Sequence, residues 1–155
     1  FLLRPFNLHH LVNDIINLQS LHAQNKYFHL FNTNKKKMEM TGDRNMLNTI
    51  LRNLTSNAIK FTGEQGTVTF SGRSQDGYTH LEISDTGVGI PQEKQDQLFK
   101  LDKVQSTAGT AGETGTGLGL VVCEEFVNKH QGTIRMESQP GKGTTFILSF
   151  PHSCT

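Results

Sequence analysis

The sequence has little cysteine, almost no net charge and no long hydrophobic run. Its two cysteines, Cys123 and Cys154, have neither the spacing of a zinc site nor the number needed for a disulfide framework. The formal net charge of +1 provides no overall field that would attract nucleic acid or an anionic membrane. No apolar run approaches the roughly 20 residues of a transmembrane helix. We therefore expect a cytoplasmic domain that contacts neither nucleic acid nor membrane.

The length of 155 residues suits one domain with one hydrophobic core, so we expect residues 1–155 to form a single domain. The chain begins with FLLRPF rather than with methionine. This start suggests a fragment of a longer protein.

Hydrophobic periodicity divides the chain into three helices, each followed by two strands. Apolar residues at steps of three and four predict helices over 8–21, from a cap at Asp43 to about Phe61, and over 118–130. Alternating stretches predict strands in FHLFNT and KMEM around a Lys/Asn turn, in GTVTFSGR and THLEISD around an Asp-Gly turn, and in GTIRMES and TTFILSF around QPGKG. A short helix is predicted from Pro91.

This order predicts an α+β fold, with an antiparallel-rich sheet covered by helices on one face. One segment does not fit a packed element. Residues 103–119 are rich in small and polar residues and contain five glycines. Such a segment is too flexible for a helix or strand and too long for a simple connection, which is typical of a lid or a disordered loop.

A polar stripe runs along the second predicted helix. At about 100 degrees per residue, Asn53, Asn57 and Lys60 fall within about 60 degrees of one another, at the margin of the apolar face. Asparagine is a poor helix former, so an interaction should offset its cost. Two amides and one ammonium suit a divalent cation that carries phosphates. A solvated edge with chance asparagines is the alternative.

Two glycine-containing segments could complete such a site. In DTGVGI, residues 85–90, Asp85 ends a strand and can accept a hydrogen bond from an amino group, while Gly87 and Gly89 allow close approach of a flat ligand. A plain turn is the alternative. In GTGLGL, residues 115–120, glycines precede an apolar helix whose first N–H groups attract phosphate.

The sequence lacks the common nucleotide-binding motifs. No Gly-Lys-Ser/Thr closes a P-loop, and Gly115, Gly117 and Gly119 miss the dinucleotide spacing by one residue. A nucleotide-binding site in this chain would have to be built from other motifs.

In order and spacing, NLTSNAIKFT, DTGVGI, Leu98-Phe99 and GTGLGL resemble the N box, first glycine box, F box and second glycine box of sensor histidine kinases. The closing GTIRMESQPGKGTTFILSFP is similar to the end of that family's catalytic and ATP-binding domain. The resemblance covers nearly the whole chain. It implies the Bergerat fold, a two-layer α/β sandwich with a mixed, mostly antiparallel sheet of about five strands, three helices on one face and a long ATP lid.

The resemblance also implies roles for individual residues, with ATP and Mg²⁺ as cofactors. Asn57 would ligate magnesium, Asn53 would assist at metal or phosphate, and Lys60 would contact phosphate. Asp85 would hold the adenine amino group, in a pocket shaped by Gly87, Gly89 and Ile90. The remaining nucleotide-binding residues would be Phe99 and Lys103 in the lid, Gly115, Thr116, Gly117, Leu118 and Gly119 at the phosphates, and Thr144 at the adenine end.

Two family features are absent from this sequence. The ATPase branches of the fold carry a glutamate where Asn53 stands, and an amide cannot serve as a base at neutral pH, so hydrolysis should be slow. None of the seven histidines has the context of the family's phosphoacceptor, which precedes an acidic residue, a leucine and an arginine: His9, His10, His22, His29, His80, His130 and His152. No catalytic residue is assigned within this chain.

The resemblance therefore implies a protein histidine kinase domain that transfers the γ-phosphate of ATP to a histidine on a separate dimerisation domain. A response regulator would receive the phosphate in turn, and the parent kinase could be anchored in a membrane. A catalytically degenerate nucleotide-binding module and an ATPase clamp are the alternatives. Without its acceptor, the chain should bind Mg-ATP but not label itself.

Overall fold

The computed structural model describes residues 1–22, 28–32, 38–62, 66–90, 92–95 and 118–152. These residues form seven strands and four helices: β1 Arg4–Asn7, α1 Leu8–His22, β2 Phe28–Asn32, β3 Glu39–Gly42, α2 Arg44–Phe61, β4 Gly66–Gln75, β5 Tyr78–Asp85, α3 Gln92–Gln95, α4 Leu118–Lys129, β6 Thr133–Ser138 and β7 Thr144–Pro151.

The main sheet has five strands in the order β2-β4-β5-β7-β6. Only the pair β2 and β4 is parallel, and the other three pairs are antiparallel. The predicted α/β sandwich with a mixed, mostly antiparallel sheet is therefore confirmed. Its core joins the apolar faces of α1, α2 and α4 to alternate residues of β4, β5 and β7. Among the described helices, none combines the length and hydropathy needed to cross a bilayer.

The strands predicted on either side of the Lys/Asn turn both form, but they belong to different sheets. β2 joins the main sheet beside β4. β3 pairs instead with β1 in a separate two-stranded sheet, in which Met40 lies opposite Phe6. The sequence did not predict β1, because its four residues contain Pro5 and show no apolar alternation.

Helix α2 begins where its cap was predicted. Asp43 has an extended backbone, and its Oδ1 accepts a hydrogen bond from the Met46 N–H at 3.1 Å. The Asp43 N–H in turn donates to Nε2 of the buried His130 at 2.9 Å. These bonds fix the start of the helix that carries the polar stripe.

Candidate functional site

Asp85 is the last residue of β5 and one of the few buried acidic side chains among the described residues, at 7% exposure. Its Oδ1 accepts two backbone hydrogen bonds, from the Gly87 N–H at 2.8 Å and from the Thr144 N–H at 3.3 Å. No described residue donates to Oδ2. The carboxylate is thus held in place by one oxygen, while the other remains available to a ligand donor.

The environment of Asp85 disfavours its charge. Burial raises the pKa of the carboxyl above its ordinary value, and the Gly87 and Thr144 N–H groups only partly oppose this effect. A ligand that donates to Oδ2 would replace the hydration that burial removes. An exocyclic amino group on a flat base can make such a bond.

The loop after Asp85 packs tightly against the turn between β6 and β7. Gly89 has φ +75, and a Cβ built on it would lie 2.1 Å from the Gln139 carbonyl oxygen. The Gly141 N–H donates to the Val88 carbonyl at 2.6 Å. Gly143 has φ +85, and its Cβ would lie 2.1 Å from the Asp85 carbonyl oxygen. At Gly89 and Gly143, therefore, both the backbone conformation and the lack of space require glycine.

Ser138 joins the predicted residues Ile90 and Thr144. Its Oγ accepts a hydrogen bond from the Ile90 N–H at 2.7 Å and lies 2.8 Å from Thr144 Oγ1. Gln95 extends this network by donating to the carbonyl oxygens of Ile90 at 2.6 Å and Ser138 at 3.1 Å. Sequence reasoning missed Ser138, Gly143 and Gln95. The only available signal was the glycine-rich turn at 139–143, because the register of β6 and β7 decides which residues meet.

The structure thus brings five predicted residues into one cluster at the carboxyl end of β5: Asp85, Gly87, Gly89, Ile90 and Thr144. An open cleft of about 510 Å³ adjoins this cluster and is lined in part by Asp85, Gln95, Ser138 and Lys142.

The second group of predicted residues lies along α2, which packs against β5. Asn53 and Asn57 are half-buried, and Lys60 is 8% exposed. An open polar cleft of about 480 Å³ lies beside Asn53 and is lined by Gln19, Thr49, Arg52, Asn53 and Ser56. The stripe therefore lies at the margin of the buried face, where the helical wheel put it.

The Cys123 thiol of α4 lies against α2, where its Sγ donates a hydrogen bond to the Ile50 carbonyl oxygen at 3.6 Å. Burial raises the pKa of this thiol to about 12. The Cys123 side chain is fully buried. Cys154 lies outside the described residues.

The remaining predicted residues belong to the predicted lid and to the start of α4. Leu118 and Gly119 form the first turn of α4, as the position of the glycines before an apolar helix indicated. Phe99, Lys103, Gly115, Thr116 and Gly117 lie outside the described residues.

The profile of the family described as histidine kinase-, DNA gyrase B-, and HSP90-like ATPase matches residues 42–153. The chain belongs to this family. Individual relatives then confirm the resemblance to sensor histidine kinases, and membership of an ATPase family supports nucleotide binding.

One curated relative is the aerobic respiration control sensor protein ArcB of Escherichia coli (strain K12), with 38% identity over 150 residues, 94% of this chain and 19% of that protein. Another is the circadian input-output histidine kinase CikA of Synechococcus elongatus, with 36% identity over 151 residues, 96% of this chain and 20% of that protein. The chain thus spans about a fifth of the length of these relatives.

A similar solved structure is the nucleotide-free catalytic domain of histidine kinase ThkA. It has 26% identity and a TM-score of 0.79, and the match covers 98% of this chain and 97% of that one. Full-length ShkA, solved in complex with AMPPNP, has the same fold at 24% identity and a TM-score of 0.78, over 99% of this chain and 32% of that one.

Proposed function

We propose that this chain binds Mg-ATP and transfers the γ-phosphate to a histidine on a separate dimerisation domain of its parent sensor kinase, for relay to a response regulator. The observation that carries this proposal is the arrangement at Asp85. Its Oδ1 is held by two backbone N–H groups, no described residue donates to its Oδ2, and Asp85 is among the residues that line an open cleft. Family membership supplies the class of ligand.

The residues present fit an adenine nucleotide. Oδ2 of Asp85 would accept the hydrogen bond of the adenine amino group. The loop 87–90 would pack against the base, since Gly89 and Gly143 keep the backbone around Asp85 compact. A base that presents a carbonyl oxygen to Asp85 would place two acceptors together, so the same geometry favours adenine over guanine.

The stripe on α2 fits the phosphate end. The amide oxygens of Asn57 and Asn53 would serve Mg²⁺, and the Lys60 ammonium would offset the charge of the phosphates. Because both amides are neutral, most of the negative charge around the metal would come from the nucleotide. Magnesium neutralises charge on the transferred phosphoryl group, and the role of the chain is to bind and orient the nucleotide.

The chain is proposed to act as a kinase rather than as an ATPase. Asn53 has no basic atom that could activate water, whereas an incoming imidazole is itself a nucleophile and depends mainly on positioning. We propose further that residues 1–155 form one domain on the cytoplasmic side of a longer protein that contains the acceptor histidine.

Phosphoryl transfer to a supplied acceptor domain tests the proposal. We expect acid-labile phosphate on the acceptor when the 155-residue chain is mixed with the acceptor domain of the parent protein and radiolabelled ATP. Asn57→Ala should reduce the rate of transfer at least tenfold, which corresponds to a rise of roughly 1.4 kcal/mol or more in activation free energy. The chain alone should remain unlabelled. Nucleotide binding without transfer would instead identify a degenerate module, and substantial steady-state ATP hydrolysis by the chain alone would identify a clamp.

A further inference from the structure

Ser138 is the last residue of β6, and its hydroxyl joins two segments that both hold Asp85. On one side, Oγ accepts a hydrogen bond from the Ile90 N–H at 2.7 Å. On the other side, Oγ lies 2.8 Å from Oγ1 of Thr144. It also donates to the Gly143 carbonyl oxygen at 3.2 Å. This one hydroxyl therefore has three hydrogen-bond partners within the chain.

The number of hydrogens sets the direction of these three bonds. A serine hydroxyl has one hydrogen and two acceptor lone pairs. The Gly143 carbonyl can only accept, so it receives the Ser138 hydrogen. The two lone pairs then accept from the Ile90 N–H and from the Thr144 hydroxyl. Because this arrangement satisfies all three contacts at once, the Ser138 hydroxyl has no donor or acceptor left for a ligand.

These bonds close a ring of contacts around Asp85. Oδ1 of Asp85 accepts from the Gly87 N–H and from the Thr144 N–H. The chain then runs from Gly87 to Ile90, whose N–H donates to Ser138. The Thr144 hydroxyl reaches the same Ser138 oxygen from β7. Asp85 and Ser138 therefore hold the loop between Gly87 and Ile90 against β7 from its two ends.

Gln95 in α3 reinforces the Ser138 end of this ring. Its Nε2 carries two hydrogens and donates to the carbonyl oxygens of Ile90 at 2.6 Å and Ser138 at 3.1 Å. Both backbone polar groups of Ile90 are thus held, the N–H by Ser138 and the carbonyl by Gln95. Ile90 is 7% exposed, so water has little access to compensate for a lost hydrogen bond there.

We propose that Ser138 is a positioning residue of the candidate site, which sets the distance between the loop 87–90 and β7 and so the width of the space for a flat base beside Asp85. This inference rests on the proposed function. Ser138 acts through the loop and not by touching the ligand, because the chain uses all of its hydrogen-bonding capacity. Its effect is confined to the base end, since none of its described hydrogen bonds involves α2.

The test measures ATP affinity of the 155-residue chain by calorimetry, in excess Mg²⁺ and in EDTA. Ser138→Ala leaves the Ile90 N–H without its acceptor, so the Kd for ATP should rise roughly threefold to tenfold, the effect of one neutral hydrogen bond. The factor should be the same in both conditions, because the phosphate end on α2 is unchanged. Ser138→Thr keeps the hydroxyl and should restore the original Kd.

Ser149→Ala is the matched control. Ser149 lies near the other end of β7, and its Oγ lies 2.8 Å from Nδ1 of His80, so this variant also removes a serine hydroxyl from a short hydrogen bond between side chains. It should leave the Kd for ATP unchanged in both conditions. Gln95→Ala releases the Ile90 carbonyl and should raise the Kd in the same direction as Ser138→Ala, which it replaces if that variant does not fold.

A second measurement needs no nucleotide. Without ATP, the backbone ¹⁵N–¹H resonance of Ile90 should shift in Ser138→Ala, return to its original position in Ser138→Thr and stay in place in Ser149→Ala. An unshifted Ile90 resonance in Ser138→Ala would contradict the hydrogen bond on which the inference depends.

Four binding results would overturn this inference while leaving the proposed function in place. They are an unchanged Kd in Ser138→Ala, an equal rise in Ser149→Ala, a loss in Ser138→Thr as large as in Ser138→Ala, and a rise that occurs only in excess Mg²⁺. Failure of the unmodified chain to bind ATP would overturn both the inference and the proposed function.

Discussion

Two buried aspartates have opposite environments in this fold. Asp43, at the start of α2, uses both carboxylate oxygens, because Oδ1 accepts from the Met46 N–H at 3.1 Å and Oδ2 accepts from the Leu2 N–H at 2.8 Å. Asp85, at the end of β5, receives both of its backbone hydrogen bonds on Oδ1. No described residue donates to its Oδ2. One carboxylate is complete within the protein, and the other has an oxygen left for a partner.

The pKa values differ in the same sense. Hydrogen bonds from the Leu2 and Met46 N–H groups lower the pKa of Asp43 despite its partial desolvation. Burial raises the pKa of Asp85 because its two hydrogen bonds do not compensate for lost water. The two carboxylates therefore differ in how many of their oxygens accept hydrogen bonds from the chain. Two such oxygens are typical of a carboxylate that stabilises the fold, and one is typical of a carboxylate that can bind a ligand.

The largest expected effect on the Asp85 region comes from Gly143. Gly143→Ala would place a Cβ against the Asp85 carbonyl oxygen at a positive φ, so we expect the free energy of unfolding to fall by about 3 kcal/mol. Gly141→Ala is the control, since Gly141 has φ +80 in the same turn and nothing lies within 4 Å of the added Cβ. It should cost about 1 kcal/mol, from backbone strain alone. If urea denaturation gave equal losses of unfolding free energy for the two variants, small backbone shifts would have relieved the clash between the added Cβ and the Asp85 carbonyl.

The comparison predicts that Asp85→Asn weakens ligand binding rather than the fold. The amide oxygen of the variant would accept the two backbone hydrogen bonds and leave NH₂ facing the ligand's amino group, so that two donors meet. We expect ATP affinity to fall roughly hundredfold, about 2.7 kcal/mol, with stability at neutral pH unchanged or increased. Asp43→Asn should leave ATP affinity unchanged in calorimetry. If both variants weakened ATP binding equally, the distinction between the two aspartates would be wrong.

The sequence predicted the parts of this site that depend on local order. The spacing of Asn53, Asn57 and Lys60 on one helix defines the stripe without any tertiary information, and Asp43 was recognisable as a cap because an apolar period follows it. The order and spacing of the four sequence boxes indicated the family, and the family implied the fold. Leu118 and Gly119 at the start of α4 were likewise predictable from glycines that precede an apolar run.

The missing parts depend on contacts between distant segments. Ser138 meets Ile90 because β6 ends beside the loop that follows β5, and the space at Gly143 is closed because the Asp85 carbonyl lies against it. The sequence around His130 indicated no structural role, yet its Nε2 accepts a hydrogen bond from the Asp43 N–H. Strand register and packing of helix ends set such contacts, and no local pattern encodes them.

The third prediction concerns the cap. Asp43→Ala removes the acceptors of the Met46 and Leu2 N–H groups and should lower the free energy of unfolding by about 1 to 2 kcal/mol, with the ATP affinity of the folded chain unchanged. Asp14→Ala provides the control, because Asp14 forms an exposed ion pair with Arg44 at 3.0 Å. Its loss should change stability by less than about 0.5 kcal/mol. Weaker ATP binding in Asp43→Ala would mean that the cap also shapes the site on α2.

The smallest effect, and the most direct test of the comparison, is the sign of the pH dependence. The raised pKa of Asp85 means that the folded chain holds this proton more tightly than the unfolded chain, so ionisation costs stability as the pH rises from below 3.8 through the folded pKa. Asp43 has a lowered pKa, so its stabilisation is complete above pH 3.8 and is lost as the pH falls through its pKa in the folded chain.

The stability of Asp85→Asn relative to the unmodified chain should therefore increase with pH, and that of Asp43→Asn should decrease. Urea denaturation of the three chains between about pH 3 and pH 7 measures both slopes. Slopes of the same sign would show that Asp85 is as fully satisfied as Asp43, and Oδ2 would then no longer be available to the adenine amino group.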